Sequence, residues 1–210
     1  MAEPGSLEIR DVAPGLWLWQ LDHPDWNPGL GWEPRIASFA YAAEGGTVLV
    51  DALAPPDEAD EFWSRLERDP PHALVVMKPD HVRSVDFFVE RYGVPAHGPG
   101  VFHRTDVPRT ELEQIEPGSA LPGGARALYD GRGRNETPLW LPEQRTLVFA
   151  DGMTGADGEL RIWETPHIDR ARAALRELLE LPFEYVIVAH GEPLHDRAAF
   201  ERALELPPWS

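Results

Sequence analysis

Four short apolar runs in this chain each stop at an ionisable side chain. Residues 47–50 lead to Asp51, residues 73–77 to Lys78-Pro79-Asp80-His81, residues 146–150 to Asp151, and residues 185–189 to His190. Runs this short, rich in valine, leucine and isoleucine and bounded by turn residues, read as buried strands rather than helices. α/β architectures place ligands just past the C-terminal ends of strands, because rigid strands can aim loop side chains at one point. A chain that repeats this pattern is confined to a sheet-based fold with its chemistry at strand ends.

The intervening segments supply the other elements. Between residues 57 and 68 the apolar side chains Ala59, Phe62, Trp63 and Leu66 fall at i, i+3, i+4 and i+7, one face of a helix. Val85, Phe88, Val89 and Tyr92 repeat that spacing and stop at Gly93, a helix C-terminal signal. A third helix is predicted over residues 170–180, with Ala171, Ala174, Leu175, Leu178 and Leu179 on one stripe. Residues 12–21 contain a turn and then a strand. Residues 36–43 pair with 47–50 through Glu44-Gly45-Gly46, a hairpin signal, and residues 94–97 form another short strand. A second hairpin joins 139–141 to 146–150. Hairpins therefore open each half and strand–helix–strand units follow, which predicts an α/β fold, an αββα four-layer sandwich. With 22 prolines and 18 glycines in 210 residues the elements must be short, and no linker divides the chain, so one domain over 1–210 is expected.

Composition removes whole classes of function. There is no cysteine, so disulfides, thiolate metal sites, iron–sulfur clusters and a cysteine nucleophile are excluded. Any metal must sit on His, Asp, Glu or backbone oxygen. A net charge of −17 opposes nucleic acid and anionic membrane as partners, which leaves a small-molecule substrate or ligand; a homo-oligomer is compatible with the sequence. No apolar stretch approaches the roughly 18 residues of a membrane span. The opening Met1-Ala-Glu-Pro-Gly-Ser6 shows neither a basic region nor an apolar core of a signal peptide, so a cytoplasmic protein is expected.

Taken singly, each polar strand end has a bland reading: an Asp there is usually a turn or helix cap, and a lone His is usually a hydrogen-bonded surface residue. Together, Asp80, His81, Asp151 and His190 make two imidazoles and two carboxylates, a set that suits Zn²⁺, Fe²⁺ or Mn²⁺ better than Ca²⁺. Lys78 is the single lysine of the chain and lies inside the most site-like loop. Arg83, two residues after His81, either joins that network or lies on the exposed helix face. His97, His167 and His195 are weaker candidates. The segment 26–32, a Pro/Gly loop with Trp26 and Trp32, fits a groove wall or packing at a sheet edge equally well.

The blocks Gly46-Thr-Val-Leu-Val-Asp51, Ala73-Leu-Val-Val-Met-Lys-Pro-Asp80-His81, Glu136-Thr-Pro-Leu-Trp-Leu-Pro-Glu143, Leu147-Val-Phe-Ala-Asp151 and Val186-Ile-Val-Ala-His190-Gly-Glu-Pro193, in this order, resemble the metallo-β-lactamase superfamily over nearly the whole chain. The resemblance implies an αββα sandwich with a one- or two-metal site in the groove between its halves. It matches Asp51 to a buried aspartate that props the metal loop, and Asp80 and His81 to the end of a His-x-His-x-Asp-His motif. Asp151 matches a metal-bridging aspartate and His190 the final histidine. The first two histidines of that motif are missing: the loop is two residues short, or Val76 and Lys78 stand in their places. The family's middle histidine is missing too, with Arg134 of Gly131-Arg-Gly-Arg134 at about its place. The losses are those of the first metal position; the survivors are those of the second.

Three readings follow. In the first, one divalent metal, Zn or else Fe or Mn, is held by Asp80, His81, Asp151 and His190, and the chain hydrolyses a small ester, thioester or amide. Asp151 then serves as fourth ligand or base, and Lys78 or Arg134 stabilises the oxyanion. In the second, the chain is a non-catalytic binding or regulatory relative without metal, in which Lys78 and Arg134 form ion pairs with the former ligands. In the third, His190 is the general base of a metal-free enzyme, oriented by Asp80 or Asp151.

Overall fold

A computed structural model describes residues 6–210, so the signal-peptide reading of the first residues lies outside the described part. The chain forms two compact units, Met1–Gln114 and Ile115–Ser210.

The first unit carries one seven-stranded mixed sheet whose spatial order is its chain order. Its strands are β1 (Glu8–Ala13), β2 (Leu16–Asp22), β3 (Arg35–Ala43), β4 (Gly46–Val50), β5 (Pro71–Val75), β6 (Ala96–Gly98) and β7 (Glu113–Gln114). The expected hairpin closes with Ala43 opposite Gly46 across Glu44-Gly45, and Gly45 and Gly46 both have positive φ. Gly46 is doubly constrained, since a Cβ there would run into the Pro70 carbonyl oxygen. Residues 12–21 hold the expected turn and strand. Pro14-Gly15 turns the chain, and β1 folds back on β2, an outer strand with little apolar signal of its own.

Helices α1 (Asp60–Arg68) and α2 (Val85–Tyr92) bury the predicted stripes. α1 carries Asp60 and Glu61 in its first turn and Arg65 and Arg68 in its last, the charge order that its dipole favours. α2 stops where glycine permits a left-handed residue: Gly93 has φ 65°, and its N–H bonds the Val89 carbonyl at 2.8 Å. Trp19, Phe62, Trp63 and Phe88 meet in the core under these helices, with ring centroids 4.9–6.5 Å apart. The indole N–H of Trp19 is satisfied by the Leu53 carbonyl at 2.8 Å.

The second unit is built on β8 (Arg126–Ala127), β9 (Leu139–Leu141), β10 (Thr146–Phe149), β11 (Met153–Thr154), β12 (Arg161–Ile162), β13 (Tyr185–Val188) and β14 (Leu194–Asp196). Five of these form a sheet in the order β14-β13-β10-β9-β8, and β11 pairs with β12 as a separate ribbon. Helix α3 (Ile168–Glu177) and the one-turn 3₁₀ segment after it cover the predicted 170–180 stripe. A further helix, α4 (Arg197–Ala203), is capped by Asp196, whose Oδ1 accepts the Ala199 N–H at 2.7 Å. Its Phe200 is fully buried, stacks on Phe149 and meets Phe183 edge to face.

Candidate functional site

In the first unit β4 and β5 run parallel, with Val50 paired to Val75, so both chains leave the sheet at the same edge. Asp51 comes immediately after that pair and is fully buried, with φ 44°. A non-glycine residue in that conformation costs energy and persists only where its surroundings fix it. Here they do. Asp51 Oδ1 accepts the Met77 N–H at 2.8 Å, and Oδ2 lies 2.7 Å from His81 Nδ1. The Asp51 carbonyl accepts from Ser38 Oγ at 2.8 Å and from Arg83 Nη1 at 2.6 Å. Arg83, itself at φ 45°, also donates to the Ala37 carbonyl and to Ser38 Oγ. It therefore belongs to the buried network and not to an exposed helix face.

The consequence falls on His81. With Nδ1–H committed to a carboxylate, the neutral ring carries its lone pair on Nε2, the tautomer that both a metal ligand and a general base require. Asp51 and His81, matched in the sequence only through a family likeness, are joined here by a direct hydrogen bond. Lys78, Pro79, Asp80 and His81 form one tight turn closed by the His81 N–H on the Lys78 carbonyl at 3.0 Å. Inside it the buried Lys78 ammonium contacts both carboxylate oxygens of Asp80. Asp80, more than a third of its side chain exposed, is neutralised by that pair.

In the second unit β10 and β13 are also parallel, with Phe149 opposite Val188. Asp151 and His190 are each two residues past that register pair, which delivers them together. Asp151 Oδ1 is 3.3 Å from His190 Nε2, both side chains buried. The backbone behind His190 is fixed by close glycine packing: Gly155 bridges Gly191, and the His190 carbonyl accepts the Gly155 N–H at 2.9 Å. A Cβ at either glycine would overlap backbone atoms. The imidazole of His190 meets the indole of Trp163 edge to face at 5.2 Å, and the Arg134 guanidinium lies 4.6 Å over that same indole while donating to the Glu164 carbonyl. Arg134 thus reaches His190 through Trp163.

Sequence reasoning missed two residues behind Asp151. Glu136, almost wholly buried, accepts the N–H groups of Asp151 and of Gly152 (2.8 Å) on Oε2. Asp130, also buried, accepts the Arg132 N–H at 2.7 Å. Each has a second oxygen, Glu136 Oε1 and Asp130 Oδ2, buried without a hydrogen-bond partner. Burial, reinforced by the charges of Asp130 and Asp151, pushes the Glu136 carboxyl up to about 8; burial likewise raises Asp130. An acid next to Asn135 in a turn-rich stretch looks like any surface turn, and only its packing marks it. The weaker histidines are local: His97 Nδ1 faces Glu113 at 3.3 Å, and His195 Nε2 lies 2.8 Å from the Glu192 carbonyl. His167 sits at the start of α3, and the Trp26 indole donates to the Trp32 carbonyl within its own loop.

Asp151 and His190 present an oxygen and a nitrogen donor that could share one metal ion. A tetrahedral ion with bonds of about 2.0–2.1 Å has ligand–ligand edges of roughly 3.3 Å, the separation of Asp151 Oδ1 and His190 Nε2.

Solved structures give the architecture a name. DIM-1 metallo-β-lactamase matches with a TM-score of 0.75 and 16% identity, covering 97% of this chain and 98% of its own. A metallo-β-lactamase from Pontibacter korlensis matches at 0.73 and 17% identity, over 96% and 98%. The FIM-1 enzyme of Pseudomonas aeruginosa, in its mono-zinc form, matches at 0.72 and 15% identity, over 98% and 96%. The fold is that of the metallo-β-lactamases. The metallo-β-lactamase fold and the expected α/β class are therefore borne out over nearly the full chain. No protein-family model matches the sequence, and no curated protein does. Asp51, Asp151 and His190 lie one or two residues past the ends of β4, β10 and β13, and His81 lies in the turn that follows β5. No described helix is long and apolar enough to cross a membrane.

Proposed function

We propose that this chain is a metal-dependent hydrolase that works with one divalent ion, Zn²⁺ first, held in the second unit by Asp151 and His190, with Asp80 and His81 as the remaining ligands that the sequence offers. The observation that carries the reading is the buried Asp151–His190 pair at the edge length of a zinc tetrahedron. The Asp51-oriented tautomer of His81 and the mono-zinc state of the FIM-1 neighbour support it. When bound, the ion supplies Lewis acidity and makes water a nucleophile at neutral pH. Asp151 holds that water's proton or completes the ligand set. Arg134, stacked on the Trp163 indole that meets His190, supplies positive charge for a developing oxyanion. The substrate class is a small ester, thioester or amide in the cytoplasm. Elemental analysis of protein purified without chelator, beside His190→Ala, tests the reading. About one metal per chain, lost in the variant, supports it; metal-free wild type overturns it.

A second reading has its own observation. The Lys78–Asp80 ion pair already neutralises one of the four expected ligands with a protein cation. A non-catalytic binding protein of the same fold needs that pair and no metal. Metal-dependent turnover abolished by Asp151→Asn would exclude it.

A further inference from the structure

We propose that Glu136 is a positioning residue for Asp151, setting the carboxylate of that proposed ligand through its backbone; the inference rests on the metal reading above. Three observations carry it. First, Asp151 and Gly152 lie past the end of β10, where the ladder no longer satisfies their N–H groups, and both donate to the single atom Glu136 Oε2. Buried backbone donors must find partners, and two consecutive ones converging on one oxygen fix the peptide plane between them. Second, Glu136 is carried rigidly. It stands three residues before Leu139, and Leu139 is paired with Val148 in the same sheet, so clamp and ligand ride on adjacent strands. Third, the carboxylate has nowhere else to go. A Cβ on Gly152 would lie 2.6 Å from Glu136 Oε1 and 3.7 Å from Asp130 Oδ2, so both side chains crowd the face of Gly152 that only glycine leaves open.

A neutral core residue would fill this volume without desolvating a carboxyl group between two other acids. The residue is instead matched to what it holds. The Asp151 peptide fixes the direction of the Asp151 side chain, whose Oδ1 sits 3.3 Å from His190 Nε2. Rotating that peptide swings Oδ1 away from the imidazole and opens the tetrahedral edge. Partners one step behind a ligand commonly set metal affinity within 10- to 100-fold.

The test titrates Zn²⁺ alone, against a competing chelating dye, into wild type, Glu136→Gln, Glu136→Ala and Gly152→Ala. Hydrogen exchange of the Asp151 and Gly152 amides is followed in each metal-free protein. Glutamine keeps an oxygen for both N–H groups. Affinity within about threefold of wild type is expected for Glu136→Gln, against a loss of roughly tenfold or more for Glu136→Ala. Both amides should exchange faster in the alanine variant and be protected again in the glutamine variant. Gly152→Ala, which displaces the carboxylate without deleting it, should follow Glu136→Ala and serves if that variant does not fold. Alanine binding zinc as wild type does, or glutamine failing as alanine does, overturns the proposal. If wild type binds no zinc, the metal reading fails and the exchange data still decide the clamp: unprotected amides in wild type, or equal protection in all variants, overturn it.

Discussion

Glu136 makes the stability of this protein depend on pH in a direction opposite to most carboxylates. Its folded-state carboxyl sits at about 8, against an ordinary value of 4.5, because burial and the charges of Asp130 and Asp151 oppose ionisation. Between those values the folded chain holds a proton that the unfolded chain has released. The resulting stability is therefore complete below pH 4.5 and is lost as pH rises toward 8. Each pH unit in that window costs at most about 1.4 kcal/mol, which bounds the whole loss near 5 kcal/mol. Restricted to the interval from pH 5.5 to 8.5, the same slope leaves a loss of roughly 2–3 kcal/mol. Glu136→Gln removes the titration while keeping an acceptor for the Asp151 and Gly152 N–H groups. Its amide also brings a donor to the side on which Asp130 Oδ2 lacks a partner. Urea unfolding of both proteins at pH 5.5 and 8.5, with chelator throughout, reads the effect. Wild type should lose about 2–3 kcal/mol more than the variant across that interval. Parallel losses would show that Glu136 is ionised in the fold at both pH values and would refute the reasoning.

Other expectations follow from particular contacts. Asp51→Ala removes the partner of His81 and of the Met77 N–H from a fully buried position, and should cost about 2–4 kcal/mol in denaturant unfolding. Lys78→Met frees Asp80 from its ion pair, so a zinc titration should show several-fold tighter binding if Asp80 can join the ligand set. Gly155→Ala forces a Cβ onto the Glu192 carbonyl behind His190, and its melting temperature should fall by several degrees. Phe200→Ala, which empties the aromatic stack under the second sheet, should cost about 3–5 kcal/mol in the same unfolding assay.

The sequence by itself determined the elements whose signal is local. The C-terminal end of helix α2 was legible to the residue, because its stripe runs directly into Gly93. The β3–β4 hairpin was legible from two glycines that must adopt positive φ. The polar strand ends were equally plain, since an apolar run ending in Asp or His needs no partner to be seen. α4 was missed because seven residues with one large apolar side chain carry too little periodicity. β1 was missed because an outer strand has no buried face to imprint on its residues.

Tertiary structure alone decided the pairings. Nothing in the order of residues says that β10 and β13 are parallel and in the register that puts Asp151 beside His190. Nor does it say that Lys78 spends its charge on Asp80, that Arg134 lies on Trp163, or that Glu136 turns inward. Those outcomes depend on which groups share a small volume after burial, where one hydrogen-bond partner settles whether a carboxylate is a surface charge, a clamp or a ligand.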